Sequence, residues 1–336
     1  MDNLRKFLPV YKKLINYFAN GKGYGKKKPV KRILSVINSI FQSNFAEVRG
    51  QKMYLIEGFE EYSTEGVYGA LDTEIVESLI KPNDFVVDIG AAIGYFTLIF
   101  GRLVGKDGLV IAFEPKEDRF VTLKKNVNIN NFNNIKLENK AILNESGTST
   151  FFSLSDGAGL HFAGDNDEFI NKENDYKQKI PKKVSTVNLD KYLKELGILE
   201  KISFIKIDVD GPELIVLQSS ELLLKNKNLK ILIEWDLISS ERSKCKPEDL
   251  VELLFDNDFK VFYPNYKEKK YFQVSKNELL KLKPNNETIN LLCVKDLSVI
   301  KNNNYFKVWF ENRIMDTIIV LVESKLNKIL YTIISI

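Results

Sequence analysis

Histidine and cysteine are nearly missing from this chain of 336 residues, which has one of the first and two of the second. The cysteines, Cys245 and Cys293, stand far apart and form no C-x-x-C pair, and with a single histidine as well a zinc site of the usual kind is nearly excluded. They offer no disulfide framework either, and the expected compartment is a reducing cytoplasm. Long apolar runs are absent too. None reaches the length that crosses a bilayer. No apolar core followed by a small-residue cleavage site opens the sequence, so no secretory leader is expected. A nicotinamide-type G-x-G-x-x-G turn would need a third glycine where Ala92 stands. What remains is globular in composition, 44% hydrophobic and 28% charged, with a net charge of +4. The length admits one enlarged domain or two.

The chain is organised around Phe85-Val86-Val87-Asp88-Ile89-Gly90-Ala91-Ala92-Ile93-Gly94-Tyr95-Phe96-Thr97. An apolar run ends in an acid, two glycines follow, and a helical pattern begins, which reads as a buried parallel strand, a tight turn and a helix start. Gly90 and Gly94 allow a sharp turn and a close approach to a ligand. Asp88 falls at the strand's carboxyl end, where open α/β sheets bind ligands. A helix over 95–104, a strand over 109–113 and a helix over 117–130 follow, then a strand over 135–137. Glu114, some 20 residues beyond the glycines, is set to accept hydrogen bonds from two ribose hydroxyls and so supports an adenosine ligand. The alternation predicts a doubly wound parallel sheet. Upstream, 46–57 reads as a hairpin turning at Arg49-Gly50-Gln51, and 65–80 as a loop and helix whose Tyr68 and Thr73 reach towards the ligand from above.

A second informative stretch is Ser203-Phe204-Ile205-Lys206-Ile207-Asp208-Val209-Asp210-Gly211-Pro212-Glu213-Leu214. A central parallel strand is apolar on both faces, and Lys206 interrupts this one on the face it shares with Asp208. An unpaired buried ammonium is strongly penalised, so a carboxylate partner is required: Asp208, Asp88 or Glu234. Asp208, Asp210 and Glu213 cluster at the strand's end, and Pro212 suits the first turn of a helix running to Leu224. The next strand, 229–233, ends in Glu234-Trp235-Asp236 at the same edge. A helix over 247–257, a strand over 259–263 and an antiparallel strand over 289–294 complete a seven-stranded sheet. Between the halves, 142–154 reads as an added hairpin, 155–183 as a polar loop, and Asp190 as the cap of a helix to Leu196. The loop carries the single histidine, His161, read either as a base on a lid or, as is commoner for loop histidines, as a solvated side chain.

Both ends carry amphipathic helical stripes. Over 1–45 these are Leu4, Phe7, Leu8, Tyr11, Leu14, Ile15 and Phe18, then Val30, Ile33, Leu34, Ile37, Ile40 and Phe41, divided by a basic run at 21–28. They suit either attachment to an anionic membrane surface or, more commonly, helices packed on the core or a partner. Nucleic acid is not expected, since no recognisable binding module lies behind the basic arm. The 305–336 tail has its own stripe, from Met315 to Ile333, and is open to docking on the arm, homodimerisation or a membrane surface.

The segments Val87–Thr97, Phe113-Glu114-Pro115, Asn139-Lys140-Ala141-Ile142 and, above all, Ile205–Glu213 resemble the FkbM family of class I methyltransferases that use S-adenosylmethionine. The resemblance covers roughly 46–295 and leaves out an arm at 1–45 and a tail at 296–336. It implies the doubly wound, Rossmann-like seven-stranded sheet of that class, extended by helical ends. It implies Asp88, Gly90, Ala91, Gly94 and Tyr95 around the methionyl part, Glu114 on the ribose, Asn139 to Ala141 near the adenine, and Asp208 facing the methyl group. Asp210 stands where the family usually has Glu, one methylene longer. The implied reaction is O-methylation of a hydroxyl on a sugar, glycan or other small natural product, with Asp208, Asp210 or Glu234 accepting the proton and His161 as an outlying alternative. A magnesium ion in the acid cluster has little support, and no metal is expected. The rival class is a non-catalytic binding module of the same fold attached to a membrane or partner. Asp88→Ala is expected to abolish S-adenosylmethionine binding in a calorimetric titration, and undiminished affinity would remove the assignment.

Overall fold

The structure, a computed structural model, describes residues 45–56, 59, 69–153, 160–162, 180–236, 243, 245–282, 288–301 and 303–307. The amphipathic stripes of the basic arm, Tyr68, most of the polar loop and the tail stripe lie outside the described residues.

The chain opens with a hairpin of β1 (Phe45–Val48) and β2 (Gln51–Tyr54), turning at Arg49 and Gly50, both of positive φ. Helix α1 (Ala70–Leu79) leads into β3 (Phe85–Ile89), α2 (Tyr95–Val104), β4 (Leu109–Phe113), α3 (Glu117–Ile129) and β5 (Ile135–Glu138). Then come β6 (Ala141–Ile142), β7 (Gly147–Ser153), β8 (Leu160–Phe162), β9 (Ile180–Val187) and α4 (Leu189–Glu195). The second half runs through β10 (Ile202–Ile207), α5 (Glu213–Gln218), β11 (Lys230–Trp235), α6 (Pro247–Asp256) and β12 (Lys260–Asn265). It closes with β13 (Lys270–Val274), α7 (Lys276–Lys281), β14 (Ile289–Val294) and β15 (Phe306–Lys307).

The main sheet has the order β5-β4-β3-β10-β11-β14-β12-β13-β15. Strands β5, β4, β3, β10 and β11 are parallel, and β14 enters antiparallel between β11 and β12. The first seven strands of this order are the expected doubly wound sheet, and β13 and β15 extend it to nine. The chain leaves β3 towards β4 and returns on the other side as β10, so the point where a crevice opens lies between these two strands.

Period-two alternation divides the core into two layers. Val87, Ile89, Ile205, Ile207, Ile231 and Ile233 face one layer, and Val86, Val110, Phe204, Leu232 and Leu292 face the other. Helices α1 and α2 cover the second layer through Ile75, Val76, Leu79, Ile99 and Phe100. On that face the apolar rows of β3, β10, β11 and β14 end in Asp88, Lys206, Glu234 and Asn290. The polar atoms of the crevice thus continue the core's own alternation.

Several local expectations are corrected. The segment 142–154 is not a hairpin. Strand β6 pairs parallel with β9, and β7 pairs antiparallel with β8 and β9, in a separate four-stranded sheet that takes in both ends of the polar loop. Asn188, not Asp190, caps α4 by accepting from Lys191 N, while Asp190 accepts from Leu222 N and Leu223 N. Pro212 is the N-cap residue of α5, which ends at Gln218 rather than Leu224. Among the described residues no helix is long and apolar enough to cross a membrane.

Gly90 (φ +80°) has no room for a side chain, because a Cβ would sit 1.7 Å from the Asp208 carbonyl oxygen. Gly50 has nearly the same φ, +81°, but open space around it. Gly50→Ala is expected to cost about 1–2 kcal/mol for its left-handed backbone. Gly90→Ala is expected to cost a further ~1–3 kcal/mol for overpacking the β3–β10 seam, a difference that urea denaturation of the two variants measures.

Candidate functional site

Asp88, Glu114 and Asp208 stand at the carboxyl ends of three neighbouring parallel strands, β3, β4 and β10. The turn after β3 is wired to the end of β4: Gly90 N and Ala91 N both donate to Phe113 O at 3.0 Å. Glu114 accepts from Ala92 N at 2.8 Å with one oxygen and from Lys116 N at 2.7 Å with the other. That first bond holds Ala92 in its left-handed conformation, φ +51°. Burial raises the Glu114 pKa to about 7, against the pull of Arg119 and the two N–H groups. Each oxygen keeps a second acceptor site for a ligand hydroxyl. Asn139 donates to the carbonyls of Glu114 and Pro115, tying β5's end to β4's, and Ala141 is buried in β6. Tyr95, mostly buried, shares a hydrogen bond with Thr73 at 3.1 Å, so Thr73 braces α2 from α1.

Asp88 is 1% exposed. One oxygen accepts from Thr97 Oγ1 at 2.5 Å, and the other has no partner among the described residues. Burial raises its pKa, opposed by the neighbouring Lys206 ammonium. An unsatisfied carboxylate oxygen beside the strand switch fits a ligand ammonium. The glycines carry less information than the sequence implied. The space a Cβ would take is filled at Gly90 by the Asp208 backbone, so packing alone requires that glycine, while at Gly94 a Leu123 methyl lies in the way and the φ of +101° favours glycine.

Lys206 is the centre of charge. Its Nζ lies 2.6 Å from Asp208 Oδ2 and 4.9 Å from the Phe96 ring centroid, with its side chain 3% exposed. Of the three partners the sequence allowed, Asp208 makes the contact. Burial alone would lower the lysine's pKa, but the Asp208 and Asp88 carboxylates outweigh it and the value rises. Glu234 is pushed well above its ordinary range by burial and then by Asp208, Glu213 and Asp210.

A cavity of about 500 Å³ opens on the Asp208 side of the switch, lined by Asp72, Phe96, Asp208, Glu234, Tyr266 and Asn290 among others. Of the three proton acceptors proposed from sequence, Asp208 and Glu234 line it and Asp210 does not. Asp210 turns towards Arg119, 3.9 Å away, with positive φ. Glu213 folds back to accept from Val209 N and Gly211 N and holds the loop after β10. Trp235 sits in the opposite core layer, because alternation sends Glu234 and Trp235 to different faces. His161 lies in β8, opposite Phe152 of β7.

Asp72, Tyr271 and Asn290 were not found from sequence. Asp72 accepts from Tyr271 Oη at 2.6 Å and from Asn290 Nδ2 at 2.8 Å, and burial raises its pKa. The available signal was an acid at the head of the buried stripe Asp72-Ile75-Val76-Leu79 of α1.

Lys206→Met leaves Asp88 and Asp208 without their counter-ion and is expected to destabilise the fold by about 3 kcal/mol near neutral pH. The buried Asp88 carboxyl, already raised by burial, loses the ammonium that opposes that rise, so the deficit widens as pH rises from 5 to 8. Urea denaturation of both proteins at the two pH values checks the sign.

With this geometry in view, two family models match the chain: the methyltransferase FkbM domain over residues 88–261, and protein-L-isoaspartate(D-aspartate) O-methyltransferase over 12–143. Methyltransferase 1 of Beauveria bassiana is 28% identical over 148 residues, 41% of this chain and 59% of that protein. The match therefore spans less than two thirds of that relative's length. Among solved structures, Methyltransferase FkbM from Methylobacillus flagellatus KT matches with 14% identity and a TM-score of 0.36, covering 71% of this chain and 56% of that one. Aeropyrum pernix fibrillarin in complex with natively bound S-adenosyl-L-methionine matches with 14% identity and a TM-score of 0.36, covering 67% and 74%. The FkbM match takes in more than half the chain, from the acid of the glycine turn through the Lys206 strand to β12: the chain belongs to the FkbM family of class I methyltransferases, whose methyl donor is S-adenosylmethionine.

Proposed function

We propose that this protein methylates a hydroxyl group on a sugar, glycan or other small natural product. The observation that carries the reading is that Asp208, just past the end of β10, and Glu234, near the end of the neighbouring β11, line one cavity next to the strand switch. S-adenosylmethionine, when bound, supplies a methyl group that leaves sulfur without the S–C electron pair as the acceptor oxygen bonds to carbon. The residues set to hold it are Asp88, whose unpartnered oxygen suits the ammonium, and Glu114, whose remaining acceptor sites suit the ribose. A neutral hydroxyl must lose its proton as it is methylated. Glu234 is suited to accept that proton, because burial and neighbouring acids raise its basicity, whereas Asp208 is held in an ion pair. Asp208 and Lys206 then serve to orient the acceptor and keep the edge rigid. Tyr266, 46% exposed at the rim, offers an aromatic face to a sugar ring.

Mass spectrometry of cell extracts incubated with the protein and methyl-labelled S-adenosylmethionine is expected to reveal a labelled methyl ether. Labelled product only on nitrogen or carbon would overturn the hydroxyl assignment.

Glu114 supplies a pH test. With a pKa of about 7 it is largely protonated at pH 6, and a protonated carboxyl takes fewer hydroxyl donors. Affinity for S-adenosylhomocysteine is expected to tighten about tenfold from pH 6 to pH 8, following the ionised fraction. Glu114→Gln is expected to bind weakly and without that slope, as calorimetry at the two pH values reads.

A further inference from the structure

The cavity beside Asp208 has a floor of which the chemistry above uses only Glu234. Glu234 and Asn290 face each other across the antiparallel β11–β14 pair, in direct register. Opposed residues in such a pair carry their side chains close together on one face. Glu234 is only 9% exposed and has an oxygen with no hydrogen-bond partner among the described residues. Asn290 Oδ1 is unpartnered in the same sense. The amide's orientation is fixed, because its Nδ2 donates to Asp72 at 2.8 Å and Asp72 is itself gripped by Tyr271 Oη at 2.6 Å. Two neighbouring acceptor atoms are thus left facing no donor of the described residues, one of them locked by a buried relay. Leaving a buried acceptor unmet is unfavourable, so a ligand that brings donors to both is selected over one that does not.

Resting on the hydroxyl-methylation reading, we propose that this floor recognises a vicinal diol, Glu234 taking the hydroxyl to be methylated and Asn290 the hydroxyl on the adjacent carbon. Asp72 and Tyr271 act as positioning residues that hold the Asn290 carbonyl towards the ligand. A vicinal diol presents two hydroxyl donors along one edge of a ligand, as two acceptors paired in register on one sheet face require. The charge around the cavity agrees: Asp72, Glu74, Asp208 and Glu234 line it against Lys269, which disfavours a carboxylate or phosphate and admits a neutral polyol.

The test uses the full chain saturated with S-adenosylhomocysteine and titrated, by saturation-transfer NMR, with methyl α-D-mannopyranoside and methyl α-D-galactopyranoside, which carry adjacent cis hydroxyls, and with their monodeoxy counterparts. At least one diol is expected to bind, with about tenfold weaker binding of the counterpart lacking one of the pair, the worth of one hydrogen bond to a buried acceptor. Asn290→Ala is expected to weaken the diol to the level of the deoxy compound while the affinity for S-adenosylhomocysteine stays unchanged. Equal affinity of diol and deoxy compounds for the unaltered protein overturns the proposal without any variant having to fold. So does absence of binding by every glycoside to the loaded chain, and in both cases the methyltransferase reading stands. Failure of the chain to take up S-adenosylhomocysteine at all removes the methyltransferase reading and this proposal together.

Discussion

A single ammonium buried among carboxylates governs the architecture of this protein. Lys206 sits in the middle of a nine-stranded sheet, on a strand whose other buried side chains are apolar, and nothing in such a place tolerates an uncompensated charge. Asp208 meets it directly and Asp88 stands beside it in register on β3. That requirement fixes the relation of the sheet's two halves at the strand switch. The close seam seals it: the backbone of Asp208 lies so near Gly90 that no side chain fits between them, and Asp208 N donates to Ile89 O. The glycine turn, the lysine strand and the acid edge are therefore one packed unit.

From this unit two different environments diverge. Towards β4 and β5 the polar groups are tied down by backbone: Glu114 holds the turn, Asn139 links strand ends, and Gly90 and Ala91 donate to Phe113. Towards β11 and β14 the polar groups are held by other side chains and enclose a cavity. The first holds its polar groups in one fixed arrangement, and the second leaves buried acceptor atoms beside a cavity.

Much of this was legible in the residues. The seven strands in their doubly wound order, the helix at Tyr95–Val104 and the antiparallel entry of β14 follow from apolar periodicity and its interruptions. The interruption at Lys206 was the most informative residue in the chain, because a charge inside a buried strand demands a partner and so predicts a neighbour. What escaped had a common cause. Asp72, Tyr271 and Asn290 are separated by as many as 218 residues, and their meeting depends on tertiary placement that no local pattern encodes. The four-stranded sheet escaped for the same reason: β6 and β9 pair across a long polar insertion. Gly90 and Gly94 were singled out for the close approach of a ligand, and their absent side chains make room for the protein itself. Asp190 looked like a cap from its position and instead braces the turn after α5.

The two strands added beyond the usual seven alter what kind of site this is. Tyr271 reaches from β13 back beneath α1, and the turn between β12 and β13 carries Tyr266 and Lys269 to the cavity rim. One short, contiguous hairpin therefore supplies both the deepest brace and the outer lip of the acceptor side, while contributing nothing to the glycine turn. Because both contributions come from residues 260–274, a change within that one hairpin reaches the rim and the brace together.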